Sequence, residues 1–125
     1  MTVPIRLGGL YWVPDSAVSL PPRTLKERTL HPKRPFLVIS NDEVNTAEEW
    51  PIVLGFPLTT SHDFATSFCV KLERGVCPLP EECWVQVPLL QPLAKTKLVE
   101  YVGPLAANFV EEVKLKLVTY TDNLS

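Results

Sequence analysis

Lys33-Arg34-Pro35-Phe36-Leu37-Val38-Ile39-Ser40-Asn41-Asp42 reads as a β-strand with a charged entrance and a turn at its exit. Pro35 to Ser40 is apolar and rich in β-formers, and Asn41-Asp42 supplies turn chemistry. Similar short runs flank it. Leu10-Tyr11-Trp12-Val13 is introduced by Gly8-Gly9 and stopped by Pro14. Pro51-Ile52-Val53-Leu54-Gly55-Phe56 closes at Pro57-Leu58-Thr59-Thr60-Ser61. Ser67-Phe68-Cys69-Val70-Lys71-Leu72 ends in the turn Glu73-Arg74-Gly75. From Cys83 to Val87, Trp84 and Gln86 alternate with Val85 and Val87, a period of two. Short strands at a spacing of roughly 15 residues, separated by proline and glycine, predict a small β-barrel or sandwich.

The rest of the chain is read from its breaks. Thirteen prolines nearly exclude long helices before residue 104, since proline removes a donor and clashes with the preceding turn. Asn45 to Glu49 reads as a loop or one helical turn. Lys95 to Tyr101 reads as a short helix ended by Gly103-Pro104. Leu105 to Tyr120 is proline-free, and Leu105, Phe109, Val113 and Leu117 recur at every fourth position. That spacing predicts an amphipathic helix laid on the barrel, with Glu111, Glu112, Lys114 and Lys116 largely on its wet side. No internal repeat is visible.

The 125 residues, 46% hydrophobic and 21% charged, fit one globular domain spanning 1–125. Net charge is −2, so bulk electrostatics do not predict a nucleic-acid binder. Charge is nevertheless polarised along the chain. Arg23, Lys26, Arg28, Lys33 and Arg34 surround His31 with Glu27 as the one anion among them, and Asp42, Glu43, Glu48 and Glu49 follow. The basic residues lie at the end of a long segment, Asp15 to Lys33, of the length that is usually functional or disordered. Cys69, Cys77 and Cys83 match no zinc or redox spacing, and an odd count fits buried, inert thiols in a reducing compartment. The N-terminus has no apolar leader, and no apolar run approaches the ~20 residues of a membrane span. A soluble, cytoplasmic protein is expected.

The order of these elements resembles the MazF/PemK (Kid) family of toxin endoribonucleases. Gly9-Leu10-Tyr11-Trp12-Val13 is similar to the family's opening glycine and aromatic strand. Lys33 to Asp42 is similar to its "RP-x-L-V-I-S" strand, and Pro57 to Ser61 to its "P-[ILV]-T-[ST]" strand end. Leu98-Val99-Glu100-Tyr101-Val102-Gly103-Pro104-Leu105 resembles the segment before its last helix. The match covers about nine tenths of the chain. The resemblance implies an α+β, mainly β fold: a small SH3-like (MazF/CcdB-type) barrel with a long C-terminal helix and short additional helices. It also implies a homodimer, and cleavage of single-stranded RNA without metal or cofactor, blocked by a cognate antitoxin protein.

Cleavage of that kind uses the substrate's own 2′-hydroxyl as nucleophile. It needs a base for that proton, an acid for the departing 5′-oxygen and cations for the crowded phosphorane. By the family match Arg34 is the first catalytic candidate, since a guanidinium stays charged and offers forked donors to phosphate. The plainer reading is a surface arginine beginning a strand. Thr59 and Thr60 match the family's strand-end hydroxyls and could hold a phosphate or the attacking group, or could serve the turn alone. Ser61 is a weaker RNA-binding candidate. Arg23, Lys26, Arg28, His31 and Lys33 could attract a phosphate backbone. Trp12 and Tyr11 could stack unpaired bases, with core packing as the alternative for Trp12. Trp50 and Trp84 are expected in the core or a dimer interface.

The chain departs from the family where acid and base are expected. Thr29 stands where many members carry a glutamate, with Glu27 the nearest acid. Pro88-Leu89-Leu90-Gln91 aligns with a "D/E-Q-[IVP]-[RK]" stretch and lacks both its acid and its basic residue. His31 and His62 are conceivable substitutes. A catalytically degenerate relative, or a CcdB-like module that binds a protein such as gyrase, is therefore the alternative. The ending Thr121-Asp122-Asn123-Leu124-Ser125 lacks the tryptophan-rich terminus of the gyrase-directed reading. A metal-dependent nuclease is disfavoured, because Glu48-Glu49 and Glu81-Glu82 fall in loops without nearby histidines. The basic segment would also suit an acidic, flexible antitoxin tail.

Overall fold

A computed structural model describes residues 3–21, 32–61, 66–76 and 79–122. Seven strands are present there: β1 (Gly9–Pro14), β2 (Lys33–Val38), β3 (Ile52–Thr59), β4 (Val70–Leu72), β5 (Cys83–Val85), β6 (Gln91–Ala94) and β7 (Glu100–Pro104). Two α-helices, α1 (Asp42–Thr46) and α2 (Ala107–Thr121), and three short 3-10 turns complete it.

The strands run in the order β4-β5-β3-β2-β1-β7, and β6 joins the beginning of β3. β3 changes partner along its length. Its start pairs with β6, its middle with β2 and its end with β5. This exchange curls the sheet into a half-barrel. Gly55 sits at the crossing, opposite Val38 on one side and Gln91 on the other. A Cβ there would lie 2.1 Å from the Leu37 carbonyl oxygen and 2.5 Å from the Phe36 ring. Only glycine permits that approach.

Strand alternation sorts the apolar side chains onto two faces. Leu10, Leu37, Phe56, Leu58, Val70 and Val85 form one layer, covered by Leu105, Val110 and Val113 at and within α2. Tyr11, Val13, Phe36, Val38, Val53 and Leu93 form the other. Phe109 and Leu117 pack partly buried against the first layer, so the predicted helix stripe meets the sheet as expected, with Leu105 two residues ahead of the helix.

Several expectations need correction. Lys95 to Tyr101 is not a helix: a 3-10 turn at Lys95–Lys97 leads into β7, which pairs with the edge of β1. A ladder of backbone bonds along β1 outweighs a helix too short to nucleate. β6 escapes a sequence reading because Pro92 disguises it as a loop. Of the two tryptophans expected in the core or a dimer interface, Trp84 is buried and Trp50 is 51% exposed, so only the interface alternative is left for Trp50. Tyr11 is fully buried on the face opposite Trp12, its hydroxyl donating to the Pro4 carbonyl at 2.7 Å, and cannot stack bases. Cys69 and Cys83 are buried as expected, and Cys77 lies outside the described residues. No helix among the described residues is long and apolar enough to cross a membrane.

α1 begins at Asn41, whose side chain accepts the Val44 N–H. Asp42 accepts the Leu7 N–H at 2.7 Å and thereby ties the N-terminal segment to α1. That bond, made to the ionised form, holds the Asp42 carboxyl below its ordinary value of 3.8. A depressed carboxyl stabilises the fold above its unfolded value and loses that effect as pH falls through the folded one. Asp42→Asn should therefore be less stable than the parent at pH 7, with the gap closing as pH falls below 3.8 in urea titrations. Gly55→Ala should lower unfolding free energy by about 2–3 kcal/mol, read from urea midpoints at constant slope.

Candidate functional site

Three strand ends converge at one corner of the half-barrel. Val13 faces Arg34 and Pro14 faces Lys33 across the β1–β2 ladder. The β2–β3 register ends at Phe36 opposite Pro57, and Leu58 and Thr59 follow on β3. A cleft of about 200 Å³ opens there. Trp12, Lys33, Arg34, Thr59, Thr60 and Ser61 all line it. Residues scattered over the sequence are thus brought to one place by strand register. Arg23, Lys26, Arg28 and His31 lie outside the described residues, as do Glu27, Thr29 and His62.

Arg34 is not the surface arginine of the plainer reading. Its side chain is buried, with Nε donating to Asp15 Oδ1 at 2.6 Å and Nη1 donating to the Leu58 carbonyl at 2.9 Å. Asp15 is itself buried and opens the 3-10 turn Asp15–Ala17 directly after β1. Pro14 precedes the acid and Pro35 follows the arginine, so restricted backbone on both sides limits the entropy lost in aiming the pair. A charge-assisted bond of this length is strong, and it fixes the plane of the guanidinium. The remaining guanidinium N–H groups have no protein partner among the described residues, although Arg34 lines the cleft.

The rim is built from weaker contacts. Lys33 Nζ lies 4.5 Å from the centre of the Trp12 ring, a cation–π contact that holds both at the cleft edge. Trp12 serves two ends, since its ring also packs against the core layer beneath α2. Thr59 Oγ1 accepts the Ser61 N–H at 3.1 Å, which is turn chemistry, and its hydroxyl proton stays available to donate. Thr60 is exposed.

The stretch Pro88-Leu89-Leu90-Gln91 explains its departure from the family pattern. Val87–Leu89 is a 3-10 turn, and Leu89 contributes an apolar wall to the cleft. Gln91 accepts the Ser19 N–H at 2.9 Å and donates to the Ser19 carbonyl at 3.1 Å, clamping the segment that follows Asp15. A polar anchor occupies the position where the family pattern carries a cation. The sequence reading missed Asp15, Glu81 and Gln86. Asp15 sits behind Arg34, while Glu81 and Gln86 line the cleft. The signal for Asp15 was an acid one residue past the ladder position that faces Lys33. Among the described residues no group of three His, Cys, Asp or Glu side chains is placed to hold a metal ion.

Burial makes the ion pair costly to break from one side, because the survivor is left as an uncompensated charge. Asp15→Ala or Arg34→Ala alone should each lose about 3–5 kcal/mol of stability. The double variant should be more stable than the two losses added, a coupling read from a denaturant double-mutant cycle.

Comparison with known proteins agrees with this architecture. The chain resembles the MazE–MazF complex structure from Deinococcus radiodurans with a TM-score of 0.68 at 19% identity, over 94% of this chain and 95% of that one. An endoribonuclease from a mycobacterial species superposes with a TM-score of 0.65 at 19% identity, over 94% and 91%. The same type of enzyme in complex with its cognate antitoxin gives 0.63 at 19% identity, over 93% and 91%. At these identities the likeness concerns the fold. No curated protein sequence matches the chain significantly. The family model of PemK-like, MazF-like toxins of type II toxin–antitoxin systems matches residues 15–120, and the chain belongs to that family.

Proposed function

We propose that the chain is the toxin of a type II toxin–antitoxin pair and that it cleaves single-stranded RNA without a metal ion. The observation that carries this reading is the Asp15-held guanidinium of Arg34, with N–H groups left over beside Thr59 and Thr60 in one cleft. A phosphodiester entering the cleft would accept those N–H groups through its non-bridging oxygens. Charge growing on the phosphorane would then meet donors already aimed at it. Thr59 and Thr60 hydroxyls orient the phosphate or the 2′-hydroxyl. The 2′-oxygen attacks phosphorus and the bond to the 5′-oxygen breaks. Glu81, the carboxylate on the cleft wall, takes the 2′-proton, and water protonates the departing oxygen. The products are a 2′,3′-cyclic phosphate and a 5′-hydroxyl.

Lys33 at the rim and the cations Arg23, Lys26 and Arg28 supply attraction for the RNA backbone. Trp12 offers a ring for an unstacked base. A second copy of the chain is the natural cover for Trp50, Ile52 and Leu54, which are exposed at alternate positions along the entry to β3. A cognate antitoxin, such as those seen with the structural relatives, would compete for the cleft in the cytoplasm.

The second reading is a relative that binds nucleic acid or protein without cleaving. It is favoured by Pro88 and Gln91, which stand where the family pattern carries its acid and its cation, Gln91 serving instead as a clamp on Ser19. One assay separates the two. Long single-stranded RNA incubated with the protein in EDTA should yield discrete fragments with 2′,3′-cyclic phosphate ends. Arg34→Lys keeps the charge but loses the fork, and should slow cleavage about 100-fold with the fold retained. Intact RNA at high protein concentration, or 5′-phosphate ends, would overturn the nuclease reading.

A further inference from the structure

Gln86 holds a buried group that the chemistry above does not use. It lies just past the end of β5 and is 2% exposed. Its backbone is fixed at both ends: the N–H donates to the Pro57 carbonyl at 3.0 Å, and its carbonyl accepts the Leu89 N–H at 2.9 Å. Its side chain does not cap the 3-10 turn that follows. The side-chain oxygen accepts from Cys69 Sγ at 3.5 Å. The side-chain nitrogen is buried and has no hydrogen-bond partner among the described residues. A buried amide donor left unmade carries its full desolvation cost, and native proteins rarely retain one without a use.

Gln86 lines the same cleft as Arg34, together with Leu89 and Trp12. With its oxygen engaged by Cys69, the amide is left as a donor alone. A cleft that combines an aromatic ring, apolar side chains and an amide donor beside the Arg34 guanidinium suits an unstacked nucleobase read at its edge. Donors alone distinguish the bases. Uracil and guanine present a keto oxygen where cytosine and adenine present an amino group, and two facing donors repel. A site built to make such a bond rejects the analogue that cannot accept it.

We propose that Gln86 sets base preference by donating to the keto oxygen of a uracil or guanine seated in the cleft. This rests on the single-stranded RNA reading above. The test measures binding rather than cleavage. Pentamers carrying 2′-O-methyl groups cannot be cut, and two pairs differ mainly in keto against amino: uridine with cytidine, and inosine with adenosine. In calorimetric titrations the folded parent should prefer the keto member of at least one pair about tenfold. Gln86→Leu should bind both members alike, and Gln86→Glu, an acceptor, should favour the amino member. Both variants are first checked for an unchanged thermal transition, and Gln86→Leu should melt no lower than the parent, since it removes the unpaired donor. Equal binding within both pairs by the parent, or a keto preference surviving in Gln86→Leu, would overturn the inference while leaving the RNA reading in place. Failure of every pentamer to bind the folded parent would overturn both.

Discussion

Asp15 and Arg34 meet inside the protein at 2.6 Å, and much of the surrounding structure is arranged to keep them there. Burying two opposite charges is favourable only with good geometry and with other hydrogen bonds to share the load. The Leu58 carbonyl supplies one such bond, and that carbonyl belongs to β3. The pair therefore links the end of β1, the start of β2 and the end of β3 at one point. Gln91, through Ser19, holds the segment behind Asp15, so β6 contributes as well. A guanidinium held through Nε and Nη1, with its remaining N–H groups unpaired among the described residues, is a fixed cation with donors to spare. That arrangement is costly for stability alone and useful for an anion.

The sheet makes this corner possible. β3 exchanges β6 for β2 and then β5, and Gly55 lets the strands approach at the crossing. α2 covers one of the two apolar layers through Val110 and Val113. Among the described residues neither α1 nor α2 lines the cleft. Cation, hydroxyls, an aromatic ring and an amide all project from strand ends rather than from long loops, so their spacing is set by backbone ladders.

The strands centred on Val13, Leu37 and Phe56 were legible because their apolar residues alternate or run together between proline and glycine. α2 was legible through its four-residue spacing. Arg34, Thr59 and Thr60 were reachable only because the order of motifs resembled a family. β7 was hidden, since Lys95 to Tyr101 contains residues that suit one helical turn as well as a strand, and pairing along β1 decided the matter. Asp15 read as the first residue of a loop, because an ion pair across the sheet leaves no local pattern. Gln86 read as one member of an alternating strand. Its meaning lies in a bond it does not make, which only the packed neighbourhood reveals.

The central claim is that Arg34 is held by Asp15 on one edge and open to an anion on the other. Nitrogen-15 magnetic resonance of the arginine side chain tests it directly, with and without a short 2′-deoxy oligonucleotide. The expected result is an Arg34 Hε resonance protected from solvent exchange and unmoved by the oligonucleotide, while the Nη resonances shift and sharpen. An Hε that exchanges freely, or Nη groups indifferent to a bound oligonucleotide, would contradict it.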